Sequence, residues 1–230
     1  MRAKILYFLI FPIFSFAQDY VVDEIFEPNN YSSRFSQISS NHRLIYSWGL
    51  NVNDTKSNII KEKGSNFFDL RYQKNVKILD KVFLTLGLGY NWNSYNLVDD
   101  INSFYIDSIF YDKRKFRFQN ILSAVGLRFQ SSASPDNFWF VEVDFFNDFL
   151  TKSTFLNWIE ISNMNYKTKI SKLNFIKNYQ FGMEIRCGYK NISLFSRYRH
   201  SKIINDLLIG NELPNLTIGL QFDIPVSGKF

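Results

Sequence analysis

This 230-residue sequence offers little imidazole or thiol chemistry: it holds two histidines and one cysteine. His200 and Ser201 are adjacent, and Glu212 follows in the same connecting segment. A serine activated by a histidine that a carboxylate orients is a nucleophile for acyl transfer. In an extended strand, however, adjacent side chains point to opposite faces, so His200 and Ser201 cannot converge on one site. No Cys/His cluster with ligand spacing accompanies His42 or His200, so no metal site is expected. No cofactor is expected either, because Gly87-Leu88-Gly89 is strand patterning and not a phosphate-binding loop. Cys187 is expected as a small apolar residue on an outward face, since one cysteine cannot form an internal disulfide.

A second set of residues has a different chemistry. Asp69, Glu142, Asp144, Glu184 and Asp223 sit at alternate positions inside otherwise apolar runs, and so do Arg71, Arg128, Arg186, Arg197 and Arg199. Five acids face five arginines. Charges removed from water need partners, and guanidinium and carboxylate groups match in geometry. The expectation is an ion-pair and hydrogen-bond network, which requires elements that turn all ten side chains to one enclosed face.

Strands supply that geometry, because their side chains alternate with a period of two. Leu84, Leu86, Leu88, Tyr90 and Trp92 alternate with Thr85, Gly87, Gly89, Asn91 and Asn93. Tyr179–Tyr189 and Leu216–Ile224 alternate equally cleanly. Leu44–Asn53, Phe68–Ile78, Trp139–Phe145 and Ile192–Ser201 follow with an irregularity or two, such as Ile45 and Lys74. The run Phe116–Phe129 changes phase near Asn120, which reads as a bulge. The connections alternate between short (Leu79-Asp80-Lys81, Ser131 to Asn137, Lys190-Asn191) and long (54–66, 94–115, 148–173, 202–214). This pattern predicts an all-β fold: an eight-stranded antiparallel up-and-down transmembrane β-barrel with short periplasmic turns and long outer loops. Aromatics such as Tyr46, Trp92, Tyr95, Trp139 and Tyr189 are assigned to interfacial girdles. The inward glycines relieve crowding or allow bending. An eight-stranded barrel is just wide enough for its side chains to fill, so the charge network would plug the lumen.

The N-terminus agrees with export. Arg2 and Lys4 precede the apolar stretch Ile5–Phe14, and Ser15-Phe16-Ala17 places small residues at the cleavage positions, as in a signal peptide. The expected organisation is a signal peptide at 1–17, a periplasmic lead-in at 18–41, the barrel at 42–225 and a short tail at 226–230, with both chain termini in the periplasm. Pro225 ends the last strand, so Phe222 or Ile224, and not Phe230, is expected to serve as the assembly signal. The formal charge of +6 falls to about +4 without Arg2 and Lys4, which is no nucleic-acid signature.

Ala17-Gln18, the Leu-Gly-Leu-Gly-Tyr strand (86–90), the Val-Gly-Leu-Arg-Phe strand (125–129) and the closing Ile-Gly-Leu-Gln-Phe strand (218–222) resemble the PorT-like outer-membrane β-barrel proteins of Bacteroidota. The resemblance implies an outer-membrane location and an association with protein secretion and gliding; it carries no functional residues. The leading expectation is a small, non-porin, non-enzymatic outer-membrane protein with a structural or accessory role, in contact with outer-membrane lipid and lipopolysaccharide and with envelope or secretion-complex proteins. One alternative is a lipid A-modifying acyl hydrolase, although such enzymes place His and Ser two residues apart on one face. Another is a surface binding or adhesion barrel acting through its loops. The segment from Leu150 to Lys172 bears on that, since Lys152, Lys167, Lys169 and Lys172 lie among Phe155, Trp158 and Tyr166 and could meet lipopolysaccharide phosphates or a partner protein.

Overall fold

A computed structural model of the protein describes residues 42–53, 60–98, 113–132, 138–161, 164–205 and 212–226. The expected signal peptide, the lead-in and tail residues 227–230 lie outside them. The strands are β1 (His42–Val52), β2 (Ile60–Lys61), β3 (Asn66–Leu79), β4 (Val82–Leu97), β5 (Lys113–Gln130), β6 (Trp139–Ile161), β7 (Met164–Ser171), β8 (Tyr179–Tyr189), β9 (Ile192–Arg199) and β10 (Leu216–Pro225). Eight of them form a closed antiparallel ring in the order β1-β3-β4-β5-β6-β8-β9-β10, and β10 pairs back onto β1 from Arg43 opposite Pro225 to Val52 opposite Leu216. The fold is thus an eight-stranded β-barrel, and ring closure leaves no open edge among these strands. The two extra strands pair outside the ring, β2 with β4 and β7 with β6.

Closure follows from the alternation. On β1, Tyr46, Trp48 and Leu50 are exposed while Ile45, Ser47 and Asn51 are fully buried. The same inversion runs round the ring: Leu88 and Leu194 are more than 60% exposed, and Arg71, Arg128 and Arg186 at most 1%. A barrel folded in water would bury the leucines. The apolar outer band spans about nine residues on β1; at about 3.3 Å per residue and about 40° of tilt it is roughly 23 Å tall. The turns Asp80-Lys81 and Lys190-Asn191 and the connection between β5 and β6 lie at the end that carries Arg43 and Pro225. In the first turn, a hydrogen bond and the charge of Lys77 hold the Asp80 carboxyl below its ordinary value.

Three sequence expectations need correction. Inward residues of β5 keep one phase throughout, from Phe116 and Phe118 through Asn120 to Arg128, so β5 has no phase change. The irregularity lies in β6, where Gln119 pairs with Lys152 and Asn120 with Leu150, leaving Thr151 as the extra residue. The apparent change arose because Phe116 and Phe118 point inward and erase the polar contrast. Tyr95 is no girdle residue: its position on β4 turns it inward, and it is 3% exposed. The segment after Leu150 continues as strand: β6 runs on to Ile161 and returns as β7.

The reason for these extensions is an apolar cap. Ile60, Tyr95, Leu97, Phe116, Phe118 and Phe155 pack with Leu173, Ile176, Ile203, Ile204 and Leu213 above the charged interior. Phe116 lies 4.6 Å from Phe155 and 5.9 Å from Phe118, ring centre to ring centre. The extended parts of β4, β5 and β6 therefore have a buried face of their own.

Candidate functional site: the charged interior of the barrel

The inward positions of seven ring strands deliver a continuous ladder of charge. At the short-turn end, Arg43 and Arg128 both reach Asp223 Oδ2 at 3.0 Å. Arg128 also meets Glu142 at 3.3 Å and lies 3.6 Å over the ring of Phe140. Glu142 accepts a second guanidinium, Arg186 Nη2 at 2.5 Å, and an amide hydrogen bond from Gln73 Nε2 at 2.8 Å. Arg186 binds Asp144 through the same nitrogen and approaches Glu184 at 3.4 Å through Nε. Thr85 Oγ1 donates to the other oxygen of Asp144 at 2.8 Å.

Higher in the barrel, Arg71 bridges Asp69 at 2.6 Å and Glu184 at 2.7 Å, and lies 3.6 Å from Asp144. Arg197 takes the remaining oxygen of Glu184 at 3.2 Å and Asp148 at 2.6 Å, with its guanidinium 3.4 Å over Phe146. Asn91 Nδ2 donates to Asp148 at 2.8 Å, and Asn120 Nδ2 donates to Asn91 at 2.7 Å. Every carboxylate in the ladder has an arginine, and most arginines serve two or three carboxylates.

Nine of the ten residues singled out in the sequence meet in this one network. Arg199 does not join it: it pairs with Glu212 at 3.2 Å and donates to the carbonyls of Leu213 and Pro214. Sequence reasoning missed Arg43 and Asp148. Asp148 continues the two-residue period from Glu142 and Asp144, beyond the alternating run Trp139–Phe145. Arg43 precedes Ile45, whose apolar side chain on the inward face hid the period.

The lumen has little room beside these side chains. Gly126 stands opposite Asp144, and a Cβ there would lie 2.0 Å from Asp144 Oδ1 and 2.2 Å from the Val143 carbonyl oxygen. Phe138 and Phe140 close the short-turn end beneath Arg43 and Arg128, and the apolar cap closes the other.

The His–Ser–acid residues are arranged otherwise. Ser201 Oγ accepts from the Phe181 amide at 3.0 Å, and the His200 ring packs edge-on against Tyr198. Glu212 faces Arg199 and the amides of Ile203 and Ile204. Each group has a structural partner, and none of these contacts joins His200 to Ser201 or Glu212.

A scan of protein-family models gives no match to this chain, and neither does a search of curated proteins. Among solved structures, the chain is similar to the attachment invasion locus protein Ail of Yersinia pestis, at 10% identity and a TM-score of 0.35, over 80% of this chain and 98% of that one. It is also similar to the N-terminal β-barrel domain of OprF from Pseudomonas aeruginosa, at 10% identity and a TM-score of 0.28, over the same shares of the two chains. The barrel itself rests on the closed ring of strand pairings.

Chemically, the interior is suited to holding shape. Breaking a buried ion pair on one side leaves an uncompensated charge, a cost of about 3–5 kcal/mol. A shared network therefore penalises any displacement of one strand against another. Among the described residues, no group of three or more His, Cys, Asp or Glu side chains is arranged to hold a metal ion.

Proposed function

We propose that the protein is a small integral outer-membrane protein with a plugged, non-conducting barrel. It acts without catalysis, as a structural or accessory component of an envelope or secretion complex of the kind the PorT-like resemblance implies. The observation that carries this reading is the inversion of polarity: an apolar belt outside, and inside a network of paired charges between an aromatic floor and an apolar cap. Lipid offers no hydrogen bonds, so a closed ring with apolar outer side chains is the β-structure that tolerates it. The short-turn end, where β1 begins and β10 finishes, faces the periplasm in this reading, and the extended sheet and cap face outward.

The test is affinity purification of the tagged full-length protein from native outer membranes. The reading expects the same envelope proteins to co-purify at fixed stoichiometry, and the His200→Ala variant to recover the same set. Purification of the protein alone, together with a change in lipid A acylation that His200→Ala abolishes, would overturn it.

A further inference from the structure

Beyond the barrel, β4, β5, β6 and β7 continue as one sheet, with β2 paired to the end of β4. One face closes on the apolar cap; the other continues the outward side of the barrel wall and is basic. On that face Lys113, Lys115, Arg117 and Gln119 of β5 stand opposite Trp158, Leu156, Thr154 and Lys152 of β6. Trp158 and Leu156 in turn stand opposite Lys167 and Lys169 of β7. Side chains directly opposite across a strand pair share a face, so Lys113, Lys115, Arg117, Lys152, Lys167 and Lys169 form one patch. Glu160, near the β6–β7 tip, is the only acid among the described residues on this face.

The cations are gathered, not neutralised. No acidic side chain among the described residues pairs with Arg117, Lys152, Lys167 or Lys169. Burial, followed by the charges of Arg117 and Lys113, holds the Lys115 ammonium below its ordinary value. Arg117, Gln119, Lys152, Thr154, Leu156, Lys167 and Lys169 line a groove of about 150 Å³. Trp158 holds Lys113 and Lys167 each 5.4 Å from its ring centre.

Position identifies the occupant. Two residues below Gln119 on β5, and three below Lys152 on β6 across the bulge at Thr151, stand the exposed Ile121 and Phe149, which belong to the apolar belt. Two residues of strand cover about 7 Å, so the groove opens where the belt ends and lipid headgroups begin. Here an acidic protein would have to displace headgroups, whereas a lipid phosphate is already present. We propose that this sheet face binds the phosphate groups of anionic glycolipid headgroups in the leaflet around the loop end of the barrel. The inference rests on the outer-membrane reading above.

The test uses the full-length protein refolded in neutral detergent and titrated with bisphosphorylated lipid A, with Trp fluorescence as readout. The variant Arg117→Gln/Lys152→Gln/Lys167→Gln/Lys169→Gln removes the groove's cations. A charge-matched control, Lys74→Gln/Lys77→Gln/Lys81→Gln/Lys190→Gln, removes four cations at the opposite end. At about five-fold per cation near a charged lipid surface, the first variant should bind several hundred-fold more weakly at low salt. The control should match the parent, and excess inorganic phosphate should not displace the lipid. Binding by the groove variant within three-fold of the parent, an equal loss in the control, or displacement by free phosphate would overturn the proposal. Insertion of parent and groove variant into phosphatidylcholine vesicles tests the membrane reading separately: a parent that inserts while the lipid A titration fails refutes only the headgroup site.

Discussion

Replacing Arg186 with leucine probes the charge ladder at its most connected point. Arg186 serves Glu142, Asp144 and Glu184 at once. Glu184 would keep Arg71 at 2.7 Å and Arg197 at 3.2 Å, and Glu142 would keep Arg128 at 3.3 Å. Asp144 would keep only Thr85 and a distant Arg71 at 3.6 Å. The damage therefore concentrates on one buried carboxylate, and the expected loss is about 3–5 kcal/mol. With a urea dependence of about 2 kcal/mol per molar, this lowers the unfolding midpoint by roughly 2 M. The assay is urea unfolding of the refolded barrel in detergent, followed by Trp fluorescence and by heat-modifiable migration. Adding Asp144→Asn to Arg186→Leu removes the stranded charge and should recover at least half of the loss. A midpoint shift below about 0.5 M, or purely additive losses in the double variant, would refute the argument, since coupled partners in one network do not add.

Other consequences follow from the same geometry. Gly126→Ala drives a methyl group into Asp144 and the Val143 carbonyl; it should cost about 1–3 kcal/mol in the same urea assay. Phe155→Ala empties the centre of the apolar cap, at about 3–5 kcal/mol for a buried Phe. Its effect should be local: limited trypsin digestion should cut faster at Lys167 and Lys169, while heat-modifiable migration persists. His200→Ala should change neither refolding yield nor the lipid A acylation pattern read by mass spectrometry, because the His200 ring is exposed and, among the described residues, its ring contact is with Tyr198.

The ring was legible where outer and inner faces differ in polarity, as on Leu84–Asn93 and Tyr179–Tyr189. There the two-residue period marks every side chain, and the acids and arginines fall on the enclosed face without further assumption. Legibility ended where the inward face turns apolar. Phe116, Phe118 and Phe155 point inward like Arg128 and Glu142, yet a strand with apolar residues on both faces has no visible period. The cap, the length of β6 and the bulge at Thr151 were hidden for that reason. The partners within the network were hidden for another: the period says which residues face the lumen, but the stagger between strands decides which charges meet. Arg199 faces inward like Arg197, and the path of the following chain brings Glu212 to it, so it stands apart from the ladder.

The central claim is that the barrel spans the membrane and that its interior is filled. Single-channel recording from planar bilayers, fused with proteoliposomes whose protein migrates at the folded, heat-modifiable position, tests both parts together. The account predicts no conductance steps from the parent protein, and steps from a variant cleared along the lumen by Arg71→Ala, Arg128→Ala and Arg186→Ala. Stable open steps from the parent, or a protein that never enters the liposomes, would contradict it.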